Sequence, residues 1–355
     1  MVTKTLNTKW LKHNLRFNKT DFLQDLNNTS HDDFLKAQKL LNDNKVFIVC
    51  HYYCDPLIQQ LAQKCNGFIG DSLDMAKACK DSKATNILVC GVRFMGQSVK
   101  TICPEKNVFM PNLSADCSLN LSISFDSLSQ YKKENQDTIV VSYINTSYKI
   151  KSLCDFIVTS SIAKKAINDI GKLGKKILFV PDKNLGSYIG RDLDSDISLW
   201  PGYCVVHNEF SAKEILKIKN QYPNAQVVAH PESGAEVLAI ANFIGSTSQI
   251  INFCKDSNYK EFIVVTEENI IFMLNNMCKD KIFIKPSFED NSLLKGSCPW
   301  MRYNTLSSII DCFENSSLHE IKLDKKLQEL SKIPLDRMLM YSKGQDIQQV
   351  FQYKG

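Results

Sequence analysis

The chain has 355 residues, of which 44% are hydrophobic and 23% charged, and it carries a formal net charge of +5. That length allows two or three compact units with a substantial buried core, and the composition is that of an ordinary soluble globular protein. It argues against a nucleic-acid binder, because Lys-rich pieces such as Lys172-Leu173-Gly174-Lys175-Lys176 are short and interrupted, and against a membrane protein, because no run of eighteen apolar residues occurs.

Residues 1–44 read as an amphipathic helical segment, with one helix running from Asp32-Asp33 to Leu40-Leu41 behind an acidic first turn. A buried strand follows at Val46-Phe47-Ile48-Val49-Cys50, ending in His51-Tyr52-Tyr53. A helix is expected over 57–64, and Gly70-Asp71-Ser72 reads as the cap of the next, over 73–79. Strands come next at Asn86-Ile87-Leu88-Val89-Cys90 and Val108-Phe109-Met110-Pro111, the second running up to Cys117. The order then starts again. Thr138-Ile139-Val140-Val141-Ser142 is a strand ending in Tyr143-Ile144-Asn145, followed by Phe156-Ile157-Val158, a cap at Thr159-Ser160-Ser161, and the strand 176–180 that leads to Cys204. A third round begins with Ala225-Gln226-Val227-Val228-Ala229, ending in His230-Pro231-Glu232. It continues through a helix over 235–241, a cap at Gly245-Ser246-Thr247-Ser248 and the strand Glu261-Phe262-Ile263-Val264-Val265, and then reaches Cys298. From Leu318 onward the pattern predicts one charged helix, a second near 334–339, and a polar tail over 345–355 that frays.

This is an internal repeat. His51, Tyr143 and His230 are 92 and 87 residues apart, and the capping group arrives 21, 17 and 17 residues later, at Ser72, Ser160 and Thr247. Cys117, Cys204 and Cys298 are 87 and 94 residues apart. The period is too long for a solenoid, so each copy should be a small αβα domain with a short parallel sheet. The expected division is a helical segment 1–44, domains 45–125, 126–212 and 213–316, and a helical tail 317–355. In parallel α/β sheets ligands bind beyond the carboxyl ends of the strands. Those ends carry His51 and Tyr53, Tyr143 and Asn145, and His230 and Glu232, with Ser72, Ser160 and Thr247 next in line at helix starts that suit anions. Any one of these residues alone reads as a strand-end core residue or an ordinary cap; recurrence at equivalent points is what singles them out.

The N-terminus has no signal-peptide core, since Lys4, Lys9, Lys12 and His13 interrupt it, so a cytoplasmic location is expected. In a reducing compartment the thirteen Cys are buried thiols, metal ligands or catalytic groups rather than a disulfide framework, and no Cys-x-x-Cys occurs. Three Cys, one per domain, could hold a zinc or three irons of a cluster. Ten other Cys do not recur in register and read as structural, with Cys54 left open because it lies three residues from His51. There is no Gly-x-Gly-x-x-Gly, Walker A or Gly-x-Ser-x-Gly sequence.

Several stretches also match a known family in order: His51-Tyr52-Tyr53, Gly70-Asp71-Ser72-Leu73, Ala115-Asp116-Cys117-Ser118, Tyr143-Ile144-Asn145-Thr146-Ser147, Val180-Pro181-Asp182-Lys183-Asn184-Leu185-Gly186, Trp200-Pro201-Gly202-Tyr203-Cys204-Val205-Val206-His207, His230-Pro231-Glu232, Gly245-Ser246-Thr247 and Cys298-Pro299-Trp300-Met301. Over about residues 45–310 the chain resembles quinolinate synthase, the A protein of bacterial NAD biosynthesis. The resemblance implies a pseudo-threefold arrangement of three αβα domains around a central [4Fe–4S] cluster, with Cys117, Cys204 and Cys298 as its ligands. It implies condensation of iminoaspartate with dihydroxyacetone phosphate to quinolinate, with loss of phosphate and water. The family's catalytic and substrate-binding positions fall on His51, Tyr53, Ser72, Tyr143, Asn145, Ser160, His230, Glu232 and Thr247. The implied partners are the two small substrates and, transiently, the L-aspartate oxidase that would supply the unstable imine, with neither nucleic acid nor membrane. Gln97 stands where the family usually carries Glu. A non-catalytic iron–sulfur sensor and a zinc-dependent triose lyase are the alternatives.

Overall fold

Short runs of β-branched and aromatic residues form strands that are buried on both faces, so they read as continuous apolar stretches rather than alternating ones. The structure is a computed structural model that describes residues 4–5, 30–191, 196–289 and 292–355. Its strands are β1 (Lys4–Thr5), β2 (Val46–His51), β3 (Phe68–Gly70), β4 (Asn86–Cys90), β5 (Asn107–Phe109), β6 (Ile139–Tyr143), β7 (Phe156–Val158), β8 (Ile177–Val180), β9 (Ile197–Leu199), β10 (Gln226–Ala229), β11 (Phe243–Ile244), β12 (Glu261–Val265) and β13 (Ile282–Ile284). They form three all-parallel sheets in the orders β3-β2-β4-β5, β7-β6-β8-β9 and β11-β10-β12-β13, with β1 added beside β9. The fold is therefore α/β with three similar units. In every sheet the first strand of the unit lies between the second and third, so the connections from it run to opposite sides. A doubly wound sheet opens a ligand crevice at that point, beyond the carboxyl ends of the first and third strands.

The helices that cover the sheets follow local chemistry. His31–Asp43 starts at a capping box in which Ser30 and Asp33 satisfy each other's backbone donors. The rest of the helical expectation for residues 1–44, apart from the strand at Lys4–Thr5, lies outside the described residues. Two equivalent lysines close helix ends. Lys106, just before β5, donates to the carbonyls of Cys79 at 2.6 Å and Ser82 at 2.5 Å, and Lys281, just before β13, donates to those of Cys254, Lys255 and Ser257. Each places a cation on the negative end of a helix, Ser72–Asp81 and Thr247–Asp256 respectively.

The first two units share one continuous apolar core, which also takes in Leu335, Met338 and Leu339 of the C-terminal helix. The third unit has separate clusters on the two faces of its sheet, around Ile215, Val227 and Ile263 on one side and Ile250, Phe262 and Leu274 on the other. The C-terminal stretch departs from expectation. One continuous helix, Lys325–Ser342, runs through Pro334, and a further helix, Ile347–Gln352, follows where a fraying tail was predicted. Proline removes one helical N–H bond, but Leu335, Met338 and Leu339 are buried just beyond it. The tail is held because Val350 and Ile347 are buried and Arg337 donates to the carbonyls of Phe351 at 3.2 Å and Tyr353 at 2.8 Å.

Candidate functional site

The strand ends and helix starts meet in a cavity of about 670 Å³, including its open mouth. His51, Tyr53, Ser72, Cys117, Tyr143, Asn145, Ser160, Cys204, His230, Glu232, Thr247 and Cys298 all line it. Among the described residues no lysine or arginine lines it.

The capping roles fall one residue away from those predicted. Asp71, not Ser72, caps helix Ser72–Asp81 by accepting from the N–H groups of Leu73 and Asp74, and Ser246, not Thr247, caps helix Thr247–Asp256. In the second unit helix Ala163–Gly171 has no side-chain cap, so Ser160 caps nothing. A cap hydroxyl is committed to the helix N–H groups. As first residues of their helices, Ser72 and Thr247 escape that role and line the cavity instead.

The strand-end histidines of the first and third units share one geometry. Nδ1 of His51 accepts from the N–H of Tyr53 at 3.2 Å, and Nδ1 of His230 accepts from the N–H of Glu232 at 3.4 Å. A ring nitrogen that accepts a backbone N–H leaves the proton on Nε2, so both rings are neutral donors through Nε2. Burial, together with His230 beside it, lowers the pKa of His51 to about 3. Burial lowers that of His230 to about 3 as well, against the pull of Glu232. Burial thus moves both imidazoles away from the near-neutral range usual for histidine.

A chain of side-chain hydrogen bonds crosses the site. Tyr53 Oη lies 2.9 Å from Thr247 Oγ1 and 2.7 Å from Thr266 Oγ1. Thr266 Oγ1 lies 2.9 Å from His207 Nε2, and His207 Nδ1 lies 3.1 Å from Glu232 Oε2 and 3.2 Å from Cys204 Sγ. Tyr143 Oη closes the chain by donating to Glu232 Oε1 at 2.6 Å. Burial pushes the Glu232 carboxyl up, but His230, His207 and the Tyr143 hydroxyl outweigh it and hold the group below the usual carboxylate range. Glu232 is thus an ionised carboxylate with two donors, and burial raises the Tyr143 phenol well above its ordinary value. The opposite case is Glu267, which also lines the cavity. Burial raises it to about 8, although the N–H groups of Asn269, at 2.8 Å, and Cys298, at 3.2 Å, donate to it.

The three thiols share a setting. Each is half-buried and sits at the start of a helical turn, Cys117 before Ser118–Leu121, Cys204 before His207–Glu209 and Cys298 before Met301–Tyr303. The N–H of Leu119 favours the thiolate of Cys117, that of His207 favours the thiolate of Cys204, and those of Met301 and Trp300 favour the thiolate of Cys298. Even so, burial pushes all three thiols up, Cys298 to about 12; Cys117 is raised further by Cys298 and Glu232, and Cys204 by Glu232, Cys117 and Cys298. Three thiols lining one cavity, with backbone N–H donors and no lining cation among the described residues, could hold a thiophilic metal centre, whose positive charge would offset the cost of ionising them. Cys54, by contrast, is fully buried and donates to the carbonyl of Cys90 at 3.3 Å.

Packing fixes the second thiol's loop. A Cβ on Gly202 would meet Ser122 Oγ at 2.1 Å and the Pro181 carbonyl at 2.5 Å, so only glycine lets this loop approach so closely. Sequence reasoning did not assign His207, Thr266 or Glu267. The available signal was position: Thr266-Glu267 ends the third strand of its unit, where the crevice opens, and His207 follows Cys204 by one helical turn. A family model described as Quinolinate synthetase A protein matches residues 36–340.

Proposed function

The chain belongs to the quinolinate synthetase A protein family, and from that premise we propose that it condenses iminoaspartate with dihydroxyacetone phosphate to quinolinate, releasing phosphate and water. We take Cys117, Cys204 and Cys298 as the ligands of a [4Fe–4S] cluster. The observation that carries this reading is the convergence in one cavity of one thiol per unit with the strand-end His, Tyr and Glu side chains. A cluster held by three thiolates supplies, when bound, an iron open to substrate that acts as a Lewis acid.

The chain's own residues do the rest in this reading. The hydroxyls of Ser72, Ser160 and Thr247 donate to carboxylate and phosphate oxygens. His51 and His230 orient the same anionic oxygens through Nε2–H. Asn145 and Tyr143 hold the condensing carbon chain. Glu232, ionised and within reach of the cavity, takes protons as general base for tautomerisation and loss of water. The path from Glu232 through His207 and Thr266 to Tyr53 lets a proton pass between opposite walls. Tyr53 delivers it to a leaving oxygen. Loss of water and phosphate drives aromatisation, so no oxidant is needed. A catalytic role within NAD biosynthesis follows from the product.

The test mixes anaerobically reconstituted protein with the two substrates and assays quinolinate. Its appearance supports the reading, and its absence from fully reconstituted protein favours the sensor. One observation favours a zinc centre as second reading: the ligand atoms of Cys204, His207 and Glu232 lie within 4.8 Å of one another. One zinc per chain, without iron or sulfide, is the outcome that reading requires.

A further inference from the structure

Lys151 is fully buried, yet it lies outside the cavity lining. Its Nζ donates to the carbonyl of Ile144 at 2.7 Å and also to that of Thr146, and it sits 5.3 Å from the centroid of the Phe94 ring. No carboxylate pairs with it among the described residues. A buried ammonium without an anion is costly, and burial lowers its pKa to about 7. Packing alone does not ask for a lysine here, since a methionine would fill much the same space at no electrostatic cost.

The two carbonyls it draws in flank Asn145. The Ile144–Asn145 peptide is planar and trans, so turning the Ile144 oxygen toward Lys151 turns the N–H of Asn145 the opposite way. Neither that N–H nor the Asn145 side chain bonds to another group among the described residues. Ile144, Asn145 and Phe94 all line the cavity. The far side of the turn is pinned separately, by Thr146 Oγ1 at 2.9 Å from Ser142 Oγ and by Ser147 N–H donating to Asn120 Oδ1 at 2.7 Å. On the near side Lys151 acts together with the Thr146 N–H, which donates to the Ile144 carbonyl at 2.8 Å, and with the Ile144 N–H, which donates to the carbonyl of Val158 at 2.9 Å.

We propose that Lys151 is a positioning residue for anionic ligands: from behind the cavity wall its ammonium holds the 144–146 turn so that the N–H and side chain of Asn145 stay unpaired and face a bound carboxylate. The identity of that ligand rests on the proposed function, but the clamp itself does not. With no lysine or arginine on the wall among the described residues, an ammonium behind it and the backbone donors it orients supply positive potential without a side chain that would compete for space.

The test compares the parent with Lys151→Met and Lys151→Arg, each reconstituted under anoxia, by hydrogen–deuterium exchange and by quinolinate affinity. Lys151→Met should keep the parent's iron content and unfold at the same temperature or higher. The amides of residues 146–148 should exchange about tenfold faster, and quinolinate should bind about tenfold more weakly. Lys151→Arg, which keeps charge and donors, should restore both to within about threefold. In an Asn145→Ala background Lys151→Met should cause a smaller further loss of affinity than in the parent, because only the N–H at position 145 is then left for Lys151 to act through. Parent-like exchange in Lys151→Met overturns the clamp whatever the ligand. Faster exchange with unchanged affinity, or losses that add in the double variant, overturns the link to binding. If Lys151→Met does not fold, Lys151→Arg decides, with parent-like exchange and affinity expected and loss of affinity in a folded protein overturning the proposal. Failure of the parent to bind quinolinate counts against the proposed reaction, and the exchange comparison still decides the clamp.

Discussion

Thr266 holds one hydroxyl between two functional side chains, 2.7 Å from Tyr53 Oη and 2.9 Å from His207 Nε2. A valine there keeps the shape and removes the connection. Thr266→Val should lower kcat by about 10- to 100-fold and leave KM within about threefold, because neither end of the path is displaced. Steady-state kinetics on anaerobic protein check this, and an unchanged kcat would remove Thr266 from the proton path. Thr266 was hard to find in the sequence, since a threonine at the end of an apolar strand carries no motif. His51 and His230 were legible because they recur at the same point of a repeat, and Cys117, Cys204 and Cys298 because their spacing follows it. Their protonation was not legible, because it depends on a backbone N–H two residues on and on burial that only folding creates.

At the level of elements, strands and helix starts could be read to within a few residues where apolar runs and turn residues alternate. Short edge strands such as β11 and β13 could not, because two or three residues form a strand only when a neighbour supplies the ladder. The C-terminal helix is a case of tertiary override. Its docking rests partly on Asp169, which accepts from Tyr341 Oη at 2.7 Å, Lys172 Nζ at 2.8 Å and Lys165 Nζ at 3.1 Å. Lys172 first, then Tyr341, lower its pKa from 3.8 to about 2. A folded-state value below the unfolded one means that this stabilisation is whole above about pH 5 and is lost as pH falls toward 2. Asp169→Asn should therefore destabilise the protein by about 1 kcal/mol at neutral pH, with the gap to the parent narrowing between about pH 5 and 3. Urea midpoints at several pH values measure it, and a gap that stays constant as pH falls would rule out the ionised carboxylate as its source.

Across the whole molecule, three units with the same strand order each bring one thiol and one strand-end group to a single cavity that none of them could build alone. The first two units and the C-terminal helix share a core, while the third is packed on its own. Cys298, beside Trp300 and Met301, packs against the core of the first two units, and its N–H donates to the Glu267 carboxyl at 3.2 Å. In the proposed function Cys117, Cys204 and Cys298 hold one iron–sulfur centre. It is tested most directly by iron and acid-labile sulfide per chain in anaerobically reconstituted parent and in the three single Cys→Ser variants, with Cys54→Ser as control. About four of each are expected in the parent and in Cys54→Ser, and loss of most of both in each of the other three. Full iron and sulfide in any of Cys117→Ser, Cys204→Ser or Cys298→Ser would contradict it.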